Sequence, residues 1–547
     1  MRGEIKNMNQ IRTTLRILLV CGLFAAAGMA QTSGCPDRPS AGSVVLNPYE
    51  VDSQSGVLQA GFTLQSAIDN SGFLHECYIY QGSSGPAEAP TLALNPGDQL
   101  QLTLTNRLSY LPPPPPGALA HGSMHGMAGM SRTVPNDACT GGAISATATN
   151  MHFHGLNVPP KCHMDEVIHT TIENTDPPFQ YKITIPKNDS PGMYWYHPHL
   201  HGETTLQVNG GAAGVLIING MENVKPQVAG LPERVMVVRQ QFQNPNSWIA
   251  GPNQLTLNFQ PAISPTLPAP VIQMQPGAQE FWRVANATSQ AFLNLQVWFG
   301  VTPQTLQVIA LDGIPVTTDI ETKTIAIPPA GRAEFIVTGP PLGQTASFQQ
   351  VGFDSGPIGN PNPPQELATI QASTTAKEPA ALPKARPASE LPKITPRFAG
   401  LSTATVTAKR TFYFAEAANG TNGPVEYFIT AEGQVPKVFN MAGPPAVTTT
   451  VGAVEDWTIE NRSGEVHAFH IHQIHFLFLA ENGTAHNNPQ LRDTVVVPAW
   501  TGSGAFPTVT LRMDFREPQI AGQFVFHCHI LDHEDAGMMA IIQVNPQ

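Results

Sequence analysis

Three stretches of the chain share one pattern of apolar and polar positions. Leu94 to Asn106 reads LNPGDQLQLTLTN, Met274 to Asn286 reads MQPGAQEFWRVAN, and Thr449 to Asn461 reads TTVGAVEDWTIEN. In each, glycine precedes asparagine by nine positions: Gly97/Asn106, Gly277/Asn286 and Gly452/Asn461. The alternation after the glycine predicts a turn feeding a strand whose side chains face opposite sides in turn. Three copies at nearly equal spacing predict three similar β-domains.

A second pattern joins the first and last of these units. Pro191 to His199 reads PGMYWYHPH and Ala521 to His529 reads AGQFVFHCH, with glycine five positions before the first histidine in both. Each runs through a loop to a glycine and an apolar strand, Gly214-Val-Leu-Ile-Ile and Gly537-Met-Met-Ala-Ile-Ile. The expected domains are 31–222, 223–400 and 401–547. The stretch Ser373–Arg397, rich in Pro, Ala and Lys, reads as an interdomain linker.

Composition agrees with this reading. Charged residues make up 12% of the 547, about half the usual ~25%. The 52 prolines are nearly twice the usual ~5% share. Few charges with many Pro and Gly favour an all-β chain rich in turns over a helical one. With 28 Lys and Arg against 40 Asp and Glu, the net charge is -12. That balance argues against nucleic acid as a partner, because phosphate affinity comes mainly from Lys and Arg.

The amino end is apolar. Ile17 to Ala30 reads ILLVCGLFAAAGMA behind Arg12 and Arg16. These 14 residues fall short of the ~20 that span a bilayer, so residues 1–30 read as a secretory signal cut after Ala30. The expected product is exported, periplasmic or secreted, with no membrane contact after cleavage. Of six cysteines, Cys21 leaves with the signal and Cys528 lies between two histidines. Cys35, Cys77, Cys139 and Cys162 could form two disulfides in an oxidising compartment, with three connectivities that the sequence does not separate.

The histidines carry the chemistry. All 18 lie within 75–201 or 467–533, and none falls between His201 and His467. A middle domain without imidazole is a poor transition-metal binder, so the outer two must do that work. Four clusters stand out: His152-Phe-His154, His197-Pro-His199, His470-Ile-His472 with His467 just before it, and His527-Cys528-His529. Residues two apart on a strand face the same side, so each pair can converge on a metal cluster. Cys528 faces the other way and can serve a separate metal. With His467, His533 and Met538 it makes two His, one Cys and a weak axial Met, the ligand set of a blue-copper electron-transfer site. His163, His169, His201, His475 and His486 read as ordinary structural or exposed residues.

These motifs, HFHG, WYHPHLHG, HAFHIH and FHCHILDHEDAGMM, resemble those of three-domain multicopper oxidases of the laccase type and occur in the family order. The resemblance covers nearly the whole chain after the signal. It implies an all-β fold of three consecutive cupredoxin-like Greek-key β-barrels. It implies four coppers per chain: one type 1, one type 2 and a type 3 pair. Carried over motif by motif, type 1 copper falls to His467, Cys528, His533 and Met538, and type 2 copper to His152 and His470. The type 3 pair falls to His154, His197, His199, His472, His527 and His529. The implied activity is one-electron oxidation of phenols or related aromatics, with Cu(I) as a further reductant, coupled to four-electron reduction of dioxygen to water. His533 would admit electrons and Cys528 would pass them on through its peptide bonds to His527 and His529. Glu534 and Asp165 would relay protons. A monomer is expected. The rival readings are a copper-binding or resistance protein without turnover and a copper-free cupredoxin scaffold, but all twelve ligand positions are filled.

The chain departs from the family in a long insertion between Asn106 and His152. It holds Pro112–Pro116, which reads as a stiff spacer, and His121-Gly-Ser-Met124-His125-Gly-Met127-Ala-Gly-Met130. Thioethers are soft donors that favour Cu(I), so this segment is expected to recruit Cu(I).

Overall fold

The computed structural model describes residues 34–547 except 69–73, 110–137, 142–143, 242–253, 263–265 and 419–424. The signal segment and the Pro112–Met130 insertion lie outside the described residues.

The described chain is almost entirely β, as the alternation predicts, and its sheets fall into three pairs in chain order. In each pair a long strand lies parallel to the strand that carries the repeated glycine and asparagine. Val57–Ile68 runs beside Gln99–Arg107, Glu233–Gln241 beside Gln279–Ala287, and Ala408–Ala418 beside Ala453–Asn461. Parallel neighbours cannot be joined by a hairpin, so the chain crosses to the facing sheet between them.

The repeated residues do the same thing three times. Gly97, Gly277 and Gly452 take φ of 94°, 72° and 95°, a left-handed conformation that side chains disfavour. Each asparagine closes its strand by donating its amide to carbonyls of the next loops. Asn106 donates to Thr147 and Ile172, Asn286 to Ala291 and Ile327, and Asn461 to Glu465 and Pro498. Each also accepts the backbone N–H two residues on, from Leu108, Thr288 and Ser463. All three asparagines are buried, where unpaired amides would be costly.

Several strands depart from simple alternation, Gln279–Ala287 of the middle domain among them. Gln279–Ala287 is buried on both faces after its first residue. Its outward face meets the first domain: Ala285 and Ala287, with Val235 and Val237, pack against Met193, Trp195, Val215 and Ile217. The first and third domains meet through a second apolar patch, with Val167 and Ile168 against Val525, Met539 and Ile541. These two contacts fix the sheet edges that carry the histidines.

From Ser373 to Arg397 the only regular element is a short 3-10 turn, Ala388–Glu390, with an isolated bridge from Ala381 to Pro232. Arg397, at the end of this stretch, is buried. The cysteines pair as Cys35–Cys77 and Cys139–Cys162, which selects one of the three connectivities, and Cys528 is free and buried.

Candidate metal centre

Strand register brings the histidines together. His152–His154 pairs with Gly192–His197 so that His152 faces His197 and His154 faces Trp195. His467–Ile471 pairs with Gly522–Cys528 so that His470 faces His527. The same cross-strand histidine pair therefore occurs in the first and third domains. The two edges meet face to face. The His152 ring stacks on His472 at 3.8 Å between centroids, and His154 on His470 at 3.9 Å. His199, His472 and His527 bring their Nε2 atoms within 3.1–3.2 Å of one another. His529 closes the group, 5.2 Å from the His154 ring and 5.5 Å from that of His197. Imidazole donors about 2 Å from one first-row ion lie about 3 Å apart, so the Nε2 trio has the spacing of a shared metal.

All eight imidazoles are buried. Burial pushes their pKa values down, to about 3 for His197 and about 4 for His527, so they are neutral and keep a lone pair for a metal. Several are held in a definite tautomer. Nδ1 of His152 donates to Asp165 at 3.0 Å, that of His197 to the Pro198 carbonyl at 2.7 Å, and that of His470 to the Asp493 carbonyl at 2.8 Å. The Nε2 atoms of these three rings are left buried without a hydrogen-bond partner. Such orphaned nitrogens fit metal ligation, in which the second ring nitrogen of a ligand histidine is anchored to a carboxylate or carbonyl.

The alternation that turns His470 toward this group turns His467 the other way, into the apolar core of the third domain beside Cys528. There His467 Nδ1 lies 3.5 Å from Cys528 Sγ, His533 Nδ1 lies 3.8 Å from it, and the two Nδ1 atoms are 3.3 Å apart. Burial alone would push the Cys528 thiol up; His467 and His533 beside it bring it down to about 6, so a thiolate is accessible. Met538 is wholly buried in the same core. Its carbonyl accepts the Cys528 N–H and its own N–H donates to the His533 carbonyl.

The outer nitrogens of this second group meet acids. His533 Nε2 lies 3.0 Å from Glu465, and its ring stacks under Tyr427 at 4.2 Å. His467 Nε2 lies 2.7 Å from the Ser463 hydroxyl and 3.6 Å from Glu416. A cavity of about 450 Å³ opens beside Glu416 and Ser463, walled by Ile358, Arg462 and Trp500. At the other centre Glu534 lies 3.2 Å from His527 Nδ1 and 3.5 Å from His199 Nε2. Asp165, besides meeting His152, accepts the Phe153 N–H at 2.9 Å. Both acids are buried, which pushes the Asp165 carboxyl up to about 8 and that of Glu534 well above the usual range.

The remaining histidines have other places. His163 and His169 are exposed, and His201 and His486 are half-buried against Phe439 and Phe478. His475 is buried and donates to the Asp312 carbonyl at 2.9 Å. Sequence reasoning missed several supports. Asn150 brackets His199, accepting its N–H at 2.7 Å and donating to its carbonyl at 3.0 Å. Asp493, Arg332, Glu416, Glu465 and Gln473 were likewise unmarked. None sits in a repeated motif, and their partners are remote along the chain.

Three family models described as multicopper oxidase match residues 144–223, 232–373 and 417–547. The multicopper oxidase mco of Staphylococcus haemolyticus is 24% identical over 413 residues, 72% of this chain and 76% of its own. The laccase of Bacillus subtilis is 23% identical over 421 residues, 72% of this chain and 78% of its own. Among solved structures, the Campylobacter jejuni multicopper oxidase, described as a metallo-oxidase, superposes with a TM-score of 0.66 at 20% identity. That match covers 94% of this chain and 98% of the other. McoA of Aquifex aeolicus matches with a TM-score of 0.65 at 19% identity, covering 92% and 100%. The fold is thus that of three cupredoxin-like domains, and the chain belongs to the multicopper oxidase family. It is an oxidoreductase that uses copper and takes dioxygen as electron acceptor.

Proposed function

We propose a laccase-like oxidase of phenols, with Cu(I) as a further reductant, that holds four coppers. His467, Cys528, His533 and Met538 hold the type 1 ion, and His152 and His470 the type 2 ion. His154, His197, His199, His472, His527 and His529 hold the type 3 pair. The observation that carries this reading is the buried Cys528–His467–His533 trio, one residue along the chain from the imidazole group on either side of Cys528. Copper held by these two sets of residues would supply one-electron uptake at the trio and, at the imidazole group, reduction of dioxygen by four electrons and four protons to two waters.

The chain's own residues supply the rest. His533, beside Tyr427 and Glu465, receives the reductant at its outer edge, and Glu465 offers a carboxylate to a phenolic hydroxyl or a Cu(I) ion. Cys528 gives a through-bond route, since its peptide bonds lead directly to His527 and His529. Glu534 brings a proton to the side where His199 and His527 meet, and Asp165 to the His152 side. Burial of both sites keeps bulk water from the reacting groups.

The domain limits 31–222, 223–400 and 401–547, a monomeric state and export to a periplasmic or extracellular compartment complete the proposal. Two disulfides support the oxidising compartment. No helix among the described residues is long and apolar enough to cross a membrane. The filled ligand positions favour turnover over passive copper storage. Oxygen uptake by the copper-loaded protein, with Cu(I) and a panel of phenols compared, tests the reading. Uptake with both supports it; binding of four coppers without uptake on either would return the storage reading.

A further inference from the structure

The two histidine pairs that form the cluster edges each run into a left-handed turn, but with different residues. After His152-Phe-His154 comes Gly155, with φ of 88°; after His470-Ile-His472 comes Gln473, with φ of 58°. Equivalent backbone positions thus hold glycine in one domain and a residue with a long side chain in the other. Glycine adopts this conformation freely and glutamine does not. At Gly155 a side chain is barred, since a Cβ would lie 2.7 Å from Asp493 Oδ2 and 2.8 Å from Arg332 Nη2. At Gln473 the side chain is accommodated, almost wholly buried, and engaged.

Its amide Nε2 donates to Asp165 Oδ2 at 2.5 Å, across the boundary between the third and first domains. Asp165 is the carboxylate that anchors His152 Nδ1. The Gln473 carbonyl accepts Asn157 Nδ2 at 2.7 Å and Arg397 Nη2 at 3.1 Å. Arg397 in turn pairs with Asp189 at 3.1 Å. One residue therefore ties His472 by the chain, Asp165 by its side chain, and the first domain and the linker by its carbonyl. A disfavoured backbone conformation that persists with this set of bonds points to a role at the site.

We infer that Gln473 is a positioning residue. Its amide fixes the Asp165 carboxylate, and through it the His152 ring, so that Nε2 of the first domain's imidazole stays aligned with the third domain's half of the cluster. This rests on the reading of His152 as a copper ligand.

The test is Gln473→Gly in the copper-loaded protein, followed by electron paramagnetic resonance, metal analysis and thermal unfolding. Glycine retains the turn and the carbonyl while removing the amide, so folding should be unchanged or improved. The expected result is an altered type 2 resonance or loss of that copper alone. Anaerobically reduced enzyme should reoxidise about 10- to 100-fold more slowly, the range for loss of a residue supporting a ligand. The type 1 colour should not change. Gln473→Glu, which replaces the donor with a second acid against Asp165, should reproduce the defect. Wild-type resonance and reoxidation in both variants would overturn the inference, as would an unfolding shift with equal loss of all coppers, which marks a structural role. His152→Ala separates the two readings. If it leaves the type 2 resonance unchanged, the ligand assignment fails, whatever Gln473 does.

Discussion

Arg332 of the second domain and Asp493 of the third form a two-pronged ion pair, Nη1 to Oδ1 at 2.8 Å and Nη2 to Oδ2 at 2.6 Å, with both side chains wholly buried. The Asp493 carbonyl accepts His470 Nδ1, and its carboxylate lies 3.3 Å from His154 Nε2. The middle domain, which has no histidine between His201 and His467, thus still reaches the cluster through one arginine. Removing one partner of a buried pair leaves an uncompensated charge, at a cost of about 3–5 kcal/mol. Arg332→Met should lower stability by about that amount in denaturant titrations and reduce copper retained at the cluster in metal analysis, with the type 1 colour kept. Unchanged stability would mean that Asp312, whose carboxylate accepts the Arg332 N–H and pairs with Arg492, already shapes the site without the guanidinium.

Cys528 is the only free cysteine among the described residues, and it lies between two cluster histidines. Cys528→Ser should abolish the intense visible absorption and oxidation of every reductant. A serine variant that stays blue would refute its assignment.

His470 and His467 are three residues apart and face opposite sites. His470→Ala should retain the blue colour, measured by absorbance, and lose oxygen reduction. Loss of the colour with oxygen uptake retained would show the two assignments reversed.

Glu534 touches His199 and His527 but not the Cys528 trio's donor atoms. Glu534→Gln should slow reoxidation of the reduced enzyme more than it slows reduction of the type 1 site, by about 10²-fold or more if it acts as a proton donor. Stopped-flow reoxidation at the wild-type rate would remove it from the proton path.

Glu76 is buried in the strand Leu74–Gly82 of the first domain. Burial and the neighbouring Glu203 push its carboxyl up to about 8, against a hydrogen bond from Ser66. An unfolded glutamate titrates near 4.3, so between these values the native state holds a proton that the unfolded chain has released. Its contribution to stability is therefore full below about pH 4 and is lost as pH rises toward 8. Glu76→Gln should flatten the fall of Tm across pH 5–8 by about 2–4 °C or more. An identical slope in wild type and variant would place the carboxylate in water.

Much of this protein was legible in the chain itself. Gly97, Gly277 and Gly452 with their asparagines marked three equivalent units, because a turn and the strand it feeds are local. The split between His470 and His467 could also be read from spacing, since neighbouring strand positions three apart face opposite sides. The double burial of Gln279–Ala287 could not, because its second covered face depends on Trp195 and Met193 of another domain.

The sequence by itself determined the fold class, the four histidine pairs and the cysteine set between His527 and His529, all properties of residues close together along a strand. Only the tertiary structure decided which cysteines pair, that His152 stacks on His472, and that Arg332, Asp493 and Gln473 hold the imidazoles in place. These residues lie in different domains, separated by up to hundreds of positions. Their proximity follows from how apolar sheet faces pack, and side-chain spacing along one strand carries no record of that packing.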